Sequence, residues 1–286
     1  AFDPPNRRLS VASLFAEDDI AVVERLTLTL GGRLEHNVYT EWEVLPNARL
    51  AWKPGSERLV WGAVSRAVRA PSRIDVDFFS PAAPPHFVVN GGPDFRSELS
   101  TVYELGYRGQ PTATSSYSIS VYYDDWDRLR SLEPTAGGPV FRNSIEGHTK
   151  GIEAWATYRP LRWWRISAGW TAQSIDLHIQ PGIVSVQGLA QLGNDPSHWW
   201  SARTSFDLGS SAEFDVAVRQ VASLPNPPVP RYTALDARLG WTPVRVLEIA
   251  LVGRNLLDDR HAEWGSPAAR PEFPREGYVQ ATFRLR

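Results

Sequence analysis

The chain has 286 residues and a formal net charge of -2, a balance that gives no electrostatic case for a nucleic-acid partner. With Cys 0 it has no disulfide, thiolate metal site or cysteine nucleophile. The length suits one large all-β domain or two average ones, and 12 Trp, 9 Tyr and 11 Phe suit strands and membrane interfaces.

No apolar run approaches the ~20 residues of a membrane helix. A polar average does not exclude a membrane barrel, because only alternate residues of its strands face lipid. The chain opens Ala1-Phe2-Asp3-Pro4-Pro5 and has Met 0, which reads as a processed chain or a fragment. Lysine occurs only at Lys53 and Lys150, and the arginines are dispersed rather than gathered in a patch.

Residues 1–9 read as the end of a loop. A strand is predicted over 10–21, with a break at 22–25. In the next segment Leu26, Leu28, Leu30 and Leu34 share one face, and Thr27, Thr29, Arg33 and Glu35 share the other. Strands over 40–52 and 59–67 follow, separated by Lys53-Pro54-Gly55-Ser56. Pro46 falls inside the first of these and predicts a bulge or a strand start. An irregular stretch over 68–97 holds Pro71, Pro81, Pro84, Pro85 and Pro93 with Gly91-Gly92, and a stretch this long is functional or disordered.

Alternation resumes over 99–108 and 117–126, with Tyr117, Ile119, Val121 and Tyr123 outward. A medium loop over 129–142 precedes strands at 145–158 and 163–177. A long loop covers 179–197, and strands at 199–208 and 212–223 flank Gly209-Ser210-Ser211. After the Pro-dense segment 225–230 comes a strand over 232–241. The last forty residues repeat the grammar. Leu247, Ile249 and Leu251 alternate with Glu248, Ala250 and Val252. After a connection over 256–276, Val279, Ala281, Phe283 and Leu285 alternate with Tyr278, Gln280, Thr282, Arg284 and Arg286.

The count is about thirteen strands of roughly ten residues, the length a tilted strand needs to cross a bilayer. Short turns alternate with longer loops, the pattern of an outer-membrane barrel. The predicted fold class is all-β: a transmembrane antiparallel up-and-down β-barrel. Trp52, Trp61, Trp163-Trp164, Trp199-Trp200 and Trp241 fall at strand ends and predict two interface girdles; the alternative is a soluble aromatic core.

His36, His86, His148, His178, His198 and His261 show no metal-ligand spacing, so no metal or cofactor is assigned. Glu17-Asp18-Asp19 and Asp124-Asp125-Trp126-Asp127 read as solvated strand ends rather than cation sites. Asp258-Asp259-Arg260-His261-Ala262-Glu263 is dense in functional groups, but its charges can pair locally in a turn. There is no Gly-x-Ser-x-Gly elbow, phosphate loop or dinucleotide fingerprint, so no catalytic residue is assigned and the chain is read as a non-enzyme.

Four segments carry a resemblance. The most specific is Gly253-Arg254-Asn255-Leu256-Leu257-Asp258-Asp259-Arg260-His261-Ala262-Glu263. The second is Pro46-Asn47-Ala48-Arg49-Leu50-Ala51-Trp52 with the run from Trp61 through Arg69-Ala70-Pro71-Ser72-Arg73. The third and fourth are Tyr103-Glu104-Leu105-Gly106-Tyr107-Arg108 and the run from Asn143-Ser144-Ile145-Glu146-Gly147 to Glu153. By their order and spacing along the chain they resemble the C-terminal part of the barrel of TonB-dependent outer-membrane receptors, over residues 1–286. The resemblance implies a barrel of roughly 22 strands with an N-terminal plug, of which about nine strands would precede Ser10. It implies a Gram-negative-type outer membrane, lipid and TonB as partners, and a chain that is monomeric when complete. It also implies import of a scarce ligand such as a ferric siderophore, haem or cobalamin. The plug and TonB box are not in this sequence. Family members usually end on an aromatic residue, so the expectation is a C-terminus slightly beyond Arg286.

Which ligand is carried, and by which residues, is not assigned. The loops over 68–97, 179–197 and 256–276 are the expected ligand-contacting segments. Arg203, Arg219, Arg238, Arg254, Glu153 and Glu248 are expected on the lumen wall, where the competing role is a structural ladder of mutual pairs. Rival readings are a plugless passive porin, a non-functional receptor fragment, an outer-membrane barrel enzyme and a soluble β-protein.

Overall fold

The computed structural model describes residues 1–80, 88–189 and 192–284. Pro81, Pro84, Pro85 and His86 of the expected irregular stretch, and Leu285 and Arg286 of the expected last strand, lie outside the described residues.

Thirteen strands follow one another along a single sheet path. They are β1 (Val11–Val23), β2 (Leu26–Asn37), β3 (Glu41–Gly55), β4 (Arg58–Arg69), β5 (Glu98–Thr112), β6 (Ser115–Glu133) and β7 (Val140–Leu161). Then come β8 (Trp164–Ile179), β9 (His198–Leu208), β10 (Ala212–Val221), β11 (Tyr232–Val244), β12 (Leu247–Arg254) and β13 (Glu276–Phe283). Neighbours in sequence are neighbours in the sheet, an antiparallel meander. The short turns stand where alternation breaks, at Glu24-Arg25, Ser56-Glu57, Ala113-Thr114 and Arg245-Val246.

The chain divides into two compact units. The first comprises Ala1–Gly106, Val121–Gly151 and Ser174–Gly193; the second comprises Tyr107–Ser120, Ile152–Gln173 and Asn194–Arg286.

In the first unit β2 and β3 pair in unbroken register from Leu26↔Trp52 to Asn37↔Glu41. Pro46 sits opposite Gly32 within that run, so the expected bulge is corrected. The β3–β4 pairing begins one residue later, at Asn47↔Ser65, so a missing N–H at Pro46 breaks no bond on that side. The buried apolar cluster of this unit, Phe95, Leu132 and Phe141 with Val76 and Val89, lies among its loops and strand ends. The apolar side chains of its strands stay exposed: Leu50, Tyr103 and Leu105 are 45%, 50% and 57% accessible.

The second unit repeats this arrangement. Register places Leu239, Leu251 and Val279 in one row across β11, β12 and β13, all strongly exposed. Arg238, Val252 and Tyr278 form the adjacent row on the opposite face. An apolar face left this bare is membrane- or partner-facing rather than half of a soluble sandwich. No helix of the described residues is long and apolar enough to cross a membrane.

Two expectations are corrected in extent. β6 and β7 run 19 and 22 residues, well past bilayer length, so the loop expected over 129–142 shrinks to 134–139. Both acidic clusters lie inside strands rather than at strand ends. Asp19 accepts from Thr29 Oγ1 at 2.5 Å across β1 and β2, and Trp126 Nε1 donates to Thr149 Oγ1 at 3.0 Å.

Candidate functional site: the structured loops and the charged face

In the first unit the segment after β4 is built on a capping box. Ser72 caps the helical turn Arg73–Val76, and its N–H and hydroxyl each donate to Asp75 Oδ2 at 2.8 Å. Asp75 is fully buried. Arg69 Nη1 reaches it at 2.8 Å and Arg130 Nη1 at 3.2 Å. Arg69 also pairs with Glu98, whose other oxygen accepts from the Arg130 backbone N–H at 2.7 Å. Burial pushes the Asp75 carboxyl up, but the bonds from Arg69 and Ser72 outweigh it and hold the group below the usual aspartate value.

Asp77 forms a second centre, with Arg73 at 3.1 Å, Arg7 at 3.3 Å and the Tyr39 hydroxyl donating at 2.9 Å. Burial, and then the bond to Asp77, raise the Tyr39 phenol. The first residues of the chain join this segment, as Asp3 N–H donates to the Asp77 carbonyl and Phe2 bridges Phe78. Asn143 fastens the other end of the stretch. Its side chain accepts from Arg96 N–H at 2.7 Å and donates to the Arg96 and Arg128 carbonyls. The charges of Arg69, Arg73, Asp75 and Asp77 are therefore spent on one another and on their neighbours, and among the described residues no carboxylate or imidazole group is placed to hold a metal ion.

The second unit has its own rim centre. Asn255 takes φ +51°, its N–H donates to Asp236 Oδ1 at 2.9 Å, and its side-chain amide donates to the Phe273 carbonyl at 3.0 Å. This holds two short strands, Arg260–Ala262 and Glu272–Pro274, against each other. His261 is buried between Tyr232, with ring centroids 4.1 Å apart, and Phe273, at 5.9 Å. Its Nε2 lies 3.1 Å from Glu263 Oε1, to which Arg219 donates at 2.9 Å. Burial raises the Glu263 carboxyl, but His261 and Arg219 together bring it below the usual glutamate value. The charges of this motif do not pair only within their turn, because Arg219 arrives from β10.

On the polar face of the second unit a ladder crosses four strands and ends on Arg284, just past β13. Arg203 meets Asp215 at 3.3 Å, Asp215 meets Arg238 at 3.7 Å, Arg238 bonds Glu248, and Glu248 accepts from Arg284 at 2.9 Å. The expected wall residues Arg203, Arg238 and Glu248 thus take the ladder role, and Arg219 pairs separately with Asp236 of β11 at 3.4 Å and with Glu263. Arg254 stacks over Tyr278 at 5.5 Å, and Glu153 has no ion-pair partner among the described residues.

Sequence reasoning missed a cavity of about 490 Å³ on this face, lined by Arg108, Arg159, Arg165 and Arg203 with hydroxyls of Ser115 and Thr157. Arg165 is held by Asp207 through two bonds of 2.6 and 2.7 Å. Arg108 rests over Trp155 and, like Arg159, has no salt bridge among the described residues. Free guanidinium groups beside hydroxyls bind anions. The four arginines come from four strands, so no local motif announces them.

The tryptophans expected in two girdles divide between the two faces. Trp52 and Trp241 belong to the exposed apolar face. Trp61 and Trp199 alternate onto the polar face, where Trp61 packs against Gly106. Among the described residues no group of three His, Asp or Glu side chains is placed to hold a metal ion. His36, His148 and His178 contact Trp42, Tyr123 and Glu146 respectively; His86 lies outside the described residues.

Residues 1–256 match the family model for the TonB dependent receptor-like beta-barrel. The iron-regulated outer membrane virulence protein of Vibrio cholerae serotype O1 is 26% identical over 88% of this chain. That match spans 41% of the relative, so the chain covers about two-fifths of its length. Among solved structures, a variant of the ferric enterobactin receptor PfeA from Pseudomonas aeruginosa superposes with a TM-score of 0.76 at 15% identity. It covers 96% of this chain and 44% of its own. The siderophore receptor PirA from Acinetobacter baumannii gives 0.76 at 14% identity, over 96% of this chain and 46% of its own. With the bare apolar face, charged opposite face and meander of bilayer-length strands, these findings establish that the chain belongs to the TonB-dependent receptor β-barrel family of the outer membrane.

Proposed function

We propose that the protein carrying this chain is an outer-membrane receptor that captures a scarce anionic iron chelate, a ferric siderophore in the first instance, at its long-loop rim. The chelate then passes along the polar wall with energy delivered through TonB. The observation that carries the reading is the family match over residues 1–256, joined to a relative named for iron regulation. The wall supports it chemically: Arg108 and Arg159, without a salt bridge among the described residues, present guanidinium groups to an anionic solute. The apolar face lies in lipid, and the short turns face the periplasm. Binding tests the capture step. Titrating the protein, purified in detergent, with ferric catecholate, hydroxamate and carboxylate chelates, haem and cobalamin should give saturable binding of at least one iron chelate. Saturation by cobalamin alone, or by none of the panel, would remove the siderophore reading.

A further inference from the structure

The apolar face of the first unit is not uniformly convex. A groove of about 750 Å³ runs along β4, and its lining is almost wholly apolar. Its floor is made by small residues. Gly62 stands between Leu50 of β3, its register partner, and Leu105 of β5; Ala48 stands opposite Val64. Leu28, Leu50 and Trp52 form one wall, and Tyr103 and Leu105 form the other. All five point to the exposed side by strand alternation. Arg49 and Glu104 also border the groove, and their side chains alternate to the polar face.

The groove opens toward the short turns. Trp52 pairs with Leu26 on one side and Val60 on the other, a few residues from Glu24-Arg25 and Ser56-Glu57. Exposed Arg25, Lys53 and Arg58 stand at that rim against Glu24 and Glu57, leaving one cation in excess. Arg25 Nε is 4.0 Å from Glu24, and its Nη1 donates to the Pro54 carbonyl at 3.3 Å. An apolar channel in a lipid-facing wall, ending at an indole and a cationic turn, matches one molecule in both halves. Methylenes fill the channel, and a phosphodiester meets the cations.

We propose that this groove is a specific site for a glycerophospholipid of the periplasmic leaflet, with one acyl chain along Gly62 and the phosphate at Arg25, Lys53 and Arg58. The proposal rests on the membrane placement given above. A lipid simply brushing the wall would be exchangeable, whereas a chain seated in a groove loses contact with bulk lipid and is retained.

The test is native mass spectrometry of the protein extracted from outer membranes in mild detergent. The unaltered protein should retain one phospholipid after detergent exchange. Gly62→Leu, whose new Cβ would meet only ordinary contacts of 3.6 and 3.9 Å, fills the floor. It should cut retention roughly tenfold, the effect of denying contact to about two methylenes. Ala237→Leu on the apolar face of the other unit should leave retention unchanged. Retention by Gly62→Leu equal to the unaltered protein would overturn the proposal, as would no retained phospholipid at all. A second measurement needs no variant: a phospholipid brominated in its acyl chain, supplied in nanodiscs, should show bromine density against Gly62, and an empty groove contradicts the site. Recovery of the unaltered protein in outer membranes without bound lipid would sink this inference alone. Its absence from the membrane fraction would sink the membrane placement itself.

Discussion

Asp75 shows how much of the rim turns on single side chains. Its carboxylate closes the capping box on Ser72, partners two arginines and anchors the loop after β4. Asp75→Asn keeps the shape but removes the charge. Arg69 and Arg130 are 44% and 37% exposed, so solvent recovers part of the loss. The expected cost is about 1–3 kcal/mol, read as faster hydrogen exchange over residues 70–80 with β9–β12 unchanged. Because the folded carboxyl titrates below its ordinary value of 3.8, its stabilisation is complete above that pH and is lost as pH falls through the lower folded value. Loop protection should therefore hold at pH 5 and fail only in stronger acid; loss already at pH 6 would contradict the assignment. At the second rim centre, His261→Ala removes the stack on Tyr232 and should loosen the 260–262 and 272–274 pair by about 1 kcal/mol. The capping box was not read from the sequence, which gave 68–97 as irregular, although Ser72 stands three residues before Asp75. Arg130 and Glu98 could not be read, because they arrive from other strands.

At the scale of elements, alternation placed each strand, and it also assigned the faces of β11, β12 and β13 correctly. Strand ends were less legible. Charged residues continue β6 beyond the apolar run, and a period of two cannot say where a ladder stops when both faces meet water. The tryptophans teach the same point: nearness to turns suggested two girdles, yet parity sends Trp61 and Trp199 to the polar face. Gly147 explains its motif, since at φ +148° an added Cβ would lie 2.1 Å from the Asp176 carbonyl on β8. Gly147→Ala should therefore disrupt the β7–β8 register and reduce folded yield in detergent, whereas Gly55→Ala, with open space around it, should not. In the ladder, Arg238 is the shared member and only 29% exposed. Arg238→Ala should cost about 1–3 kcal/mol by denaturant titration of the folded barrel, and Arg203→Ala, 61% exposed, less than about 1 kcal/mol.

The strand path ends on β1 and β13, and in each unit the apolar face is bare. Unpaired edges and exposed leucines recruit partners in water. Residues 1–286 expressed alone should sediment as aggregate in detergent-free buffer; a monodisperse monomer there would contradict a membrane-facing wall. The family was readable because its motifs recur in order along the chain. The ligand was not readable, because the arginines that line the cavity of the second unit, Arg108, Arg159, Arg165 and Arg203, gather from distant strands, and no single segment spells them.

Transport of radiolabelled iron tests the proposed energised import of an iron chelate most directly. Cells carrying the intact gene, a deletion of it, or a deletion of TonB would be offered the same panel of ferric siderophores under iron limitation. The account predicts that uptake of at least one chelate falls to background in both deletions and returns on complementation of each. Uptake that survives loss of TonB, or that never depends on this gene, would contradict it.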